Sequence, residues 1–196
     1  IPAGFCGVVG HKPTLGRVPM WPASPVAPLA HPGPMAWTVQ DAALLMNVIT
    51  ESDARDTTLP ADRIDYVASL SGGVEGLRIA FSPALGYVSV APEIAAAVKQ
   101  AAQVFEELGA HVETLDPGFS DPREAFGRLF YGGAANALRG LDQAQRALMD
   151  PELVHVADEA AQFSMLEYLE AMNARAALIE AMGRFHQTYD LLLTPT

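Results

Sequence analysis

Lysine is nearly missing from this chain of 196 residues: only Lys12 and Lys99 occur, and 12 Lys+Arg against 23 Asp+Glu leave a formal net charge of −11. That argues against nucleic acid, because binding a phosphate backbone needs a basic surface that releases counterions. Anionic membrane surfaces are disfavoured for the same reason. Cysteine is limited to Cys6, so no internal disulfide can form, and a reducing, cytoplasmic compartment is expected. Charged residues are 18% of the chain, below the ~25% usual for a soluble domain, while half the residues are hydrophobic. So little polar surface points to part of a larger body. The longest uncharged stretch, Val18 to Gln40, holds six prolines and therefore excludes a spanning helix. A charged segment leading into an apolar core, the mark of a signal peptide, is also absent.

The motifs of self-contained catalysis are lacking too. Neither Gly-x-Ser-x-Gly nor Ser-x-x-Lys occurs. His11, His31, His111, His155 and His186 have no metal-ligand spacing, and His155 with Asp158 and His186 with Asp190 read as ordinary solvated pairs. No metal or other cofactor is implied. Gly4, Gly7 and Gly10 form Gly-x-x-Gly-x-x-Gly, which is neither a dinucleotide fingerprint nor a phosphate loop, so close backbone packing is expected. The neighbouring carboxylates Glu106-Glu107 and Asp158-Glu159 point to different sides of their helices and read as solvated faces. Cys6, set among Phe5, Gly7, Val8 and Val9 with no cation close in sequence, reads as a buried structural thiol.

What is present is an α/β pattern after an irregular start. Residues 1–37 carry eight of the fifteen prolines and no acidic residue, yet include Phe5, Val8, Val9, Leu15, Met20, Trp21 and Trp37. That hydrophobicity favours buried irregular structure over a disordered linker. Residues 38–196 form the α/β portion. Thr38-Val39-Gln40-Asp41 resembles a capping box, and Val39, Ala42, Ala43, Met46 and Ile49 recur at helical spacing to about Thr50. A polar connection over 51–76, with Ser71-Gly72-Gly73 as a turn, leads to an apolar strand at Leu77–Phe81. Pro92 opens a helix that uses Ile94, Val98, Ala101, Ala102, Phe105 and Leu108 and stops at Gly109, and Val112 and Leu115 mark a second strand. Strand, helix, strand over about 40 residues is a βαβ unit with parallel strands. Helical pattern follows from Ala125 to Met149, then a long helix from about Gln162 to His186, and Tyr189 to Thr194 closes as a strand. Three strands and four helices do not complete a sheet that needs helices on both faces.

The run Ile1-Pro2-Ala3-Gly4-Phe5-Cys6-Gly7-Val8-Val9-Gly10-His11-Lys12-Pro13-Thr14-Leu15-Gly16-Arg17-Val18-Pro19 resembles the segment that follows the nucleophile in the amidase signature family, where Gly-Gly-Ser-Ile-Arg precedes Ile-Pro-Ala. The likeness continues at Gly33-Pro34-Met35, Thr38-Val39 with Asp41-Ala42-Ala43-Leu44, Leu77-Arg78-Ile79, Glu107-Leu108-Gly109-Ala110 with Val112, and Tyr189 to Thr196. It is loosest over 51–75 and 118–160. The resemblance implies an α/β/α sandwich with a mixed central sheet covered by helices on both faces. Residues 1–196 would then be a single partial domain, the C-terminal portion of an amidase domain. It further implies hydrolysis of carbon–nitrogen bonds by serine acyl transfer, assisted by a second serine in a cis peptide and a lysine. All three would lie upstream of Ile1, so no catalytic residue is assigned within the chain, and the chain alone is expected to be inactive. Its partners would be a small-molecule amide and the preceding part of the same domain, with a homodimer compatible.

Phe5, Met20, Trp21 and Thr194 are the substrate-pocket candidates, each against an alternative of plain packing: Phe5 follows closely on the reactive serine, and the others lie where such folds carry variable loops. Phe5 and Trp21 hint at an apolar acyl or aryl group. A non-catalytic scaffold or binding protein of the same fold is the rival reading. The amidotransferase component that releases ammonia from glutamine is a third: there an Asp-Gln pair precedes Gly-Pro, whereas His31-Pro32 precedes Gly33-Pro34 here, and the acidic composition does not suit RNA.

Overall fold

Helices in this chain start where the sequence supplies an acceptor side chain or a proline. The computed structural model describes residues 1–56 and 62–196, so positions 57–61 of the polar connection expected over 51–76 lie outside the described residues. In chain order the elements are α1 (Pro2–Cys6), β1 (Val9–Gly10), β2 (Met35–Ala36), α2 (Val39–Ile49), α3 (Tyr66–Ser69), β3 (Arg78–Phe81), α4 (Pro92–Glu107), β4 (His111–Thr114), α5 (Arg123–Leu138), α6 (Gln143–Arg146), α7 (Pro151–Ala160), α8 (Met165–Phe185) and β5 (Leu191–Leu193). Two compact units result, residues 1–71 with 125–172 and residues 72–124 with 173–196.

In the first unit, α2 begins as the cap predicts. The Thr38 hydroxyl accepts the Asp41 N–H at 3.0 Å and donates to Asp41 Oδ2 at 2.7 Å, satisfying a donor that the first turn leaves without an intrahelical partner. The helix buries Ala42, Ala43 and Met46, whereas Val39 is exposed and Ile49 half-buried. Leu44, Leu45 and Val48, on its other side, are exposed as well. Asn47 ties α2 to α3: its amide donates to Asp65 Oδ1 at 3.0 Å and its carbonyl accepts the Tyr66 N–H at 2.8 Å. The Asp65 carboxylate also caps α3 through the Ala68 N–H, and these bonds, that from Asn47 foremost, hold its pKa below the usual carboxylate range.

Residues 1–37 correct the expectation of burial. Irregular they are, apart from the single turn α1 and the antiparallel pair of β1 with β2, but only Pro13, Gly16, Val18 and Pro34 are buried. The dense prolines withhold N–H groups from any longer ladder, and Phe5, Leu15, Trp21 and Trp37 remain exposed. The glycine series is likewise only partly a packing motif. A methyl on Gly10 would lie 2.5 Å from the Ala3 Cβ, but Gly4 faces open space and Gly7 serves instead as the left-handed cap of α1.

Two helices escape the sequence pattern, the single turn α3 inside the expected polar connection and the longer α7. α7 lies between the two helical stretches expected, and its signal was Asp150-Pro151: the Asp150 carboxylate accepts the Glu152 and Leu153 N–H groups at 2.9 and 3.1 Å, with proline in the first turn. It packs Ala157 against Ala134 and Leu138 of α5, with Ala135, Leu141, Met149, Leu153 and Val154 around them. The pairing expected of His155 with Asp158 is replaced: His155 Nε2 lies 3.5 Å from Glu159, one helical turn on, and Asp158 holds Arg146.

The second unit is the parallel α/β part. Its three strands are those expected, in the order β4-β3-β5, with β3 parallel to both neighbours. β3 lies between the other two strands, and its Ile79, Ala80 and Phe81 are buried, as are Ala102 of α4 and Ala110. α4 runs as predicted from Pro92, and Gly109 turns the chain with φ 91° toward β4. At the sheet margin the Tyr189 hydroxyl donates to Glu113 at 2.6 Å, which raises the phenol pKa, and the Arg78 guanidinium lies 5.5 Å above the Tyr189 ring. His186 does not pair with Asp190 as its spacing predicts. Its Nδ1 sits 3.0 Å from the Tyr189 carbonyl, while Asp190 accepts the Arg78 N–H at 2.8 Å. Among the described residues no helix is long and apolar enough to cross a membrane.

Candidate functional site at the carboxyl edge of the parallel sheet

A parallel sheet opens a crevice where the chain leaves adjacent strands in opposite directions, outside their carboxyl ends. Here the chain goes from β3 through α4 to β4 on one side, and β5 joins the other side of β3. The switch point therefore lies between the ends of β3 and β5. Phe81 pairs with Leu193, and the Ser82 N–H continues the ladder to the Leu193 carbonyl at 2.9 Å, so Ser82 and Thr194 leave the sheet side by side. Thr194 and Pro195 are half-buried.

Ser82 is the element of this edge that sequence reasoning missed. It is 0% exposed, and its hydroxyl is fully used: it donates to Asp116 Oδ1 at 2.6 Å and accepts the Leu85 N–H at 2.9 Å. Asp116 follows β4, so one hydroxyl joins the loops leaving both strands. A buried hydroxyl with two partners is stable where an unpaired one would be costly. The turn it holds is strained. Leu85 has φ 51°, a left-handed conformation that costs a non-glycine residue about 1–2 kcal/mol, and the following Gly86 has φ 79° with room for a methyl only 3.3 Å from Asp116 Oδ2. Strain of this kind persists where neighbours over-determine it and concentrates at functional sites. Tyr87 packs edge-on against Phe119 with centroids 6.0 Å apart, and burial, with the nearby Asp121 charge, pushes its phenol pKa up. The loop after β3 and the loop after β4 thus form one wall. The only advance signal was the Ser82-Pro83-Ala84-Leu85-Gly86 turn composition, which does not reveal a partner 34 residues away.

The candidates named from the sequence fall in both units: Phe5, Met20 and Trp21 in the first, Thr194 in the second. Phe5 is 89% exposed on α1. Met20 is half-buried, and its N–H donates to Asp56 Oδ2 at 2.8 Å. Trp21 is exposed, with the Arg55 guanidinium 5.9 Å from its ring centroid. Arg55 is itself forked onto Asp53, a bond that lowers the Asp53 pKa to about 2. Cys6 overturns the expectation of a buried thiol: it is exposed, because it ends a one-turn helix that buries none of its residues.

A cavity of about 520 Å³ lies elsewhere in the first unit, lined by Gln143, Arg146, Ala147, Met149, Pro151 and Val154. Asp158 neutralises its one cation, Arg146. Three further hydroxyls behave as structural groups, Ser69 and Ser71 donating to backbone carbonyls and Ser164 to the Glu167 carboxylate.

The sequence profile named Amidase matches residues 1–196, the whole chain. The chain belongs to the amidase signature family. An acylamidase of Rhodococcus erythropolis is 34% identical over 200 residues, covering 100% of this chain and 42% of that protein. A glutamyl-tRNA(Gln) amidotransferase component of Chloroflexus aggregans is 43% identical over 111 residues, which is 56% of this chain and 23% of that protein. Among solved structures, a bacterial aryl acylamidase of the amidase signature family superposes with a TM-score of 0.85 at 33% identity, over 96% of this chain and 41% of that one. The 6-aminohexanoate cyclic dimer hydrolase shares the fold, with a TM-score of 0.82 at 24% identity and coverage of 96% and 42%. The chain thus spans about two fifths of the length of the full-coverage relatives it matches. Its parallel sheet with α4 as crossover is the α/β architecture of the amidase signature enzymes.

Proposed function

We propose that the protein is an amidase that cleaves a small-molecule amide by serine acyl transfer, with residues 1–196 as the C-terminal portion of one amidase domain. The observation that carries this reading is the family match along all of residues 1–196, with similarity to an acylamidase over the whole chain. Acyl transfer requires a nucleophile, its proton relay and oxyanion donors within about 3 Å of one carbonyl. The hydroxyls of Ser69, Ser71, Ser82 and Ser164 are engaged in structural hydrogen bonds, and the resemblance of residues 1–19 to the segment that follows the family's nucleophile supports a nucleophile, second serine and lysine that lie N-terminal to Ile1.

The role left for this portion is scaffold and pocket wall. The exposed Val39, Leu44, Leu45 and Val48 on α2 supply apolar area for the rest of the domain to cover. Phe5, Met20, Trp21 and Thr194 are the substrate-facing candidates, and an amide with an apolar acyl or aryl group suits them. The reading includes no cofactor. The lone cysteine and the acidic charge support a cytoplasmic setting and a small-molecule substrate rather than RNA.

The test compares residues 1–196 with the same polypeptide extended upstream through the family's lysine and two serines. Release of ammonia or amine from simple alkyl and aryl amides is the readout. The extended protein should turn over and the shorter one should not, since loss of triad members leaves only ~10³-fold of residual acceleration and the oxyanion donors would be missing as well. Activity that persists in residues 1–196 through repurification would overturn the placement of the nucleophile. An inactive extended protein with all three residues intact would favour the non-catalytic scaffold.

A further inference from the structure

The wall at the carboxyl edge of the sheet has a single buried group at its centre. Ser82 is wholly inaccessible, so its hydroxyl touches no ligand. Yet it is the shared partner of Asp116, after β4, and of the Leu85 N–H, after β3, and its own N–H fixes it to Leu193, one residue before Thr194. Three chain segments that leave the carboxyl ends of three parallel strands are thereby referred to one residue. The left-handed Leu85 is the position that such a clamp must hold against its own backbone preference. Tyr87 and Val88 continue the same turn, their N–H groups both bonding the Ala84 carbonyl at 3.1 and 2.8 Å, and Leu85 and Tyr87 are half-buried. Leu85 and Tyr87, partly accessible on a fixed turn that begins three residues after Ser82 leaves the sheet alongside Thr194, at a topological switch point, are suited to contact the apolar part of a ligand.

The geometry points to Ser82 as a positioning residue that sets substrate selectivity: through Asp116 and the Leu85 N–H it fixes the Leu85–Val88 turn as the wall against which the apolar group of the amide, acyl or aryl, is sorted. This rests on the amidase reading above. Asp116 belongs to the same device, since its Oδ1 accepts the Ser82 hydroxyl's hydrogen bond while its Oδ2 lies 3.3 Å from where a Cβ at Gly86 would sit.

The experiment uses the catalytically complete polypeptide and measures kcat and KM for two amide series, one with acyl groups of increasing size on a fixed aryl amine, the other with aryl amines of increasing size on a fixed acyl group. Ser82→Ala removes the hydroxyl and should speed hydrogen exchange at the Leu85 amide. It should also change the ratio of kcat/KM between the largest and smallest members of one series by about tenfold, mostly in KM, which is the signature of altered binding rather than altered chemistry. The series that responds identifies the group. Where Ser82→Ala does not fold, Leu85→Gly supplies the second test: it relieves the backbone strain and deletes the side chain, and should flatten the same selectivity. Uniform scaling of every amide in both series, or an unaltered Leu85 exchange rate in Ser82→Ala, would overturn the inference while leaving the amidase reading in place. Turnover of no amide by the unaltered protein would overturn both.

Discussion

Two glycines within helices should respond to alanine in opposite directions. In a helix interior, glycine is about 1 kcal/mol less favourable than alanine because it gives up more backbone freedom on folding. At Gly183 in α8 an added methyl meets nothing within 4 Å, so Gly183→Ala should gain most of that amount. At Gly133 in α5 the same methyl would lie 2.5 Å from the Pro25 carbonyl oxygen, 2.6 Å from Val26 Cγ1 and 2.8 Å from Val26 Cα. Two of those three atoms are backbone, so rotamer changes alone do not relieve the contact; the 25–26 segment must move away from α5. Overpacking of this kind costs about 1–3 kcal/mol. Set against the propensity gain, Gly133→Ala should be destabilised by up to about 2 kcal/mol, while Gly183→Ala is stabilised. The assay is urea unfolding of both variants and the parent, with the midpoint and the slope fitted separately so that a changed unfolded state is not mistaken for changed stability. A Gly133→Ala midpoint at or above that of Gly183→Ala would refute the close approach of residues 25–26 to α5.

Removing the α2 cap with Thr38→Ala should cost about 1 kcal/mol, read as a lowered urea midpoint. Ile79→Ala deletes a fully buried side chain from the central strand and should cost about 2–5 kcal/mol, with thermal unfolding as the check. For Asp65 the folded pKa lies below the unfolded value, so its contribution to stability is present above the ordinary carboxylate pKa and is lost as pH falls through the lowered folded one. Asp65→Asn, which keeps an oxygen for the Ala68 N–H, should therefore be less stable than the parent near neutral pH and converge with it as acid protonates the carboxyl; midpoints measured from neutral into acid pH test the sign.

The helices and strands that local chemistry controls could be read from the residues. Thr38 with Asp41, Pro92 at one end of α4 and Gly109 beyond the other, and the uninterrupted apolar Ile79-Ala80-Phe81 each act within a few positions, and the structure follows them. α7 was missed because its start signal, Asp150-Pro151, falls between two stretches whose apolar spacing dominated the pattern. The histidine pairs were misassigned for a related reason. Spacing brings several groups into reach, and the choice between Asp158 and Glu159 depends on Arg146, which already holds Asp158.

Local periodicity and residue order carry the α/β class, the three strands and, through motifs such as Lys12-Pro13-Thr14 and Gly16-Arg17-Val18, the family, so all three could be read before any tertiary contact was known. Burial was decided only by the tertiary structure: Cys6 and Phe5 sit in an apolar stretch yet are exposed, since burial needs a second layer over the residue, which adjacent residues do not supply. The Ser82–Asp116–Leu85 clamp was decided there too. Its members are ordinary in sequence, and only the parallel register of β3 with β4 and β5 brings a serine, a carboxylate 34 positions later and the exit of the last strand to one edge.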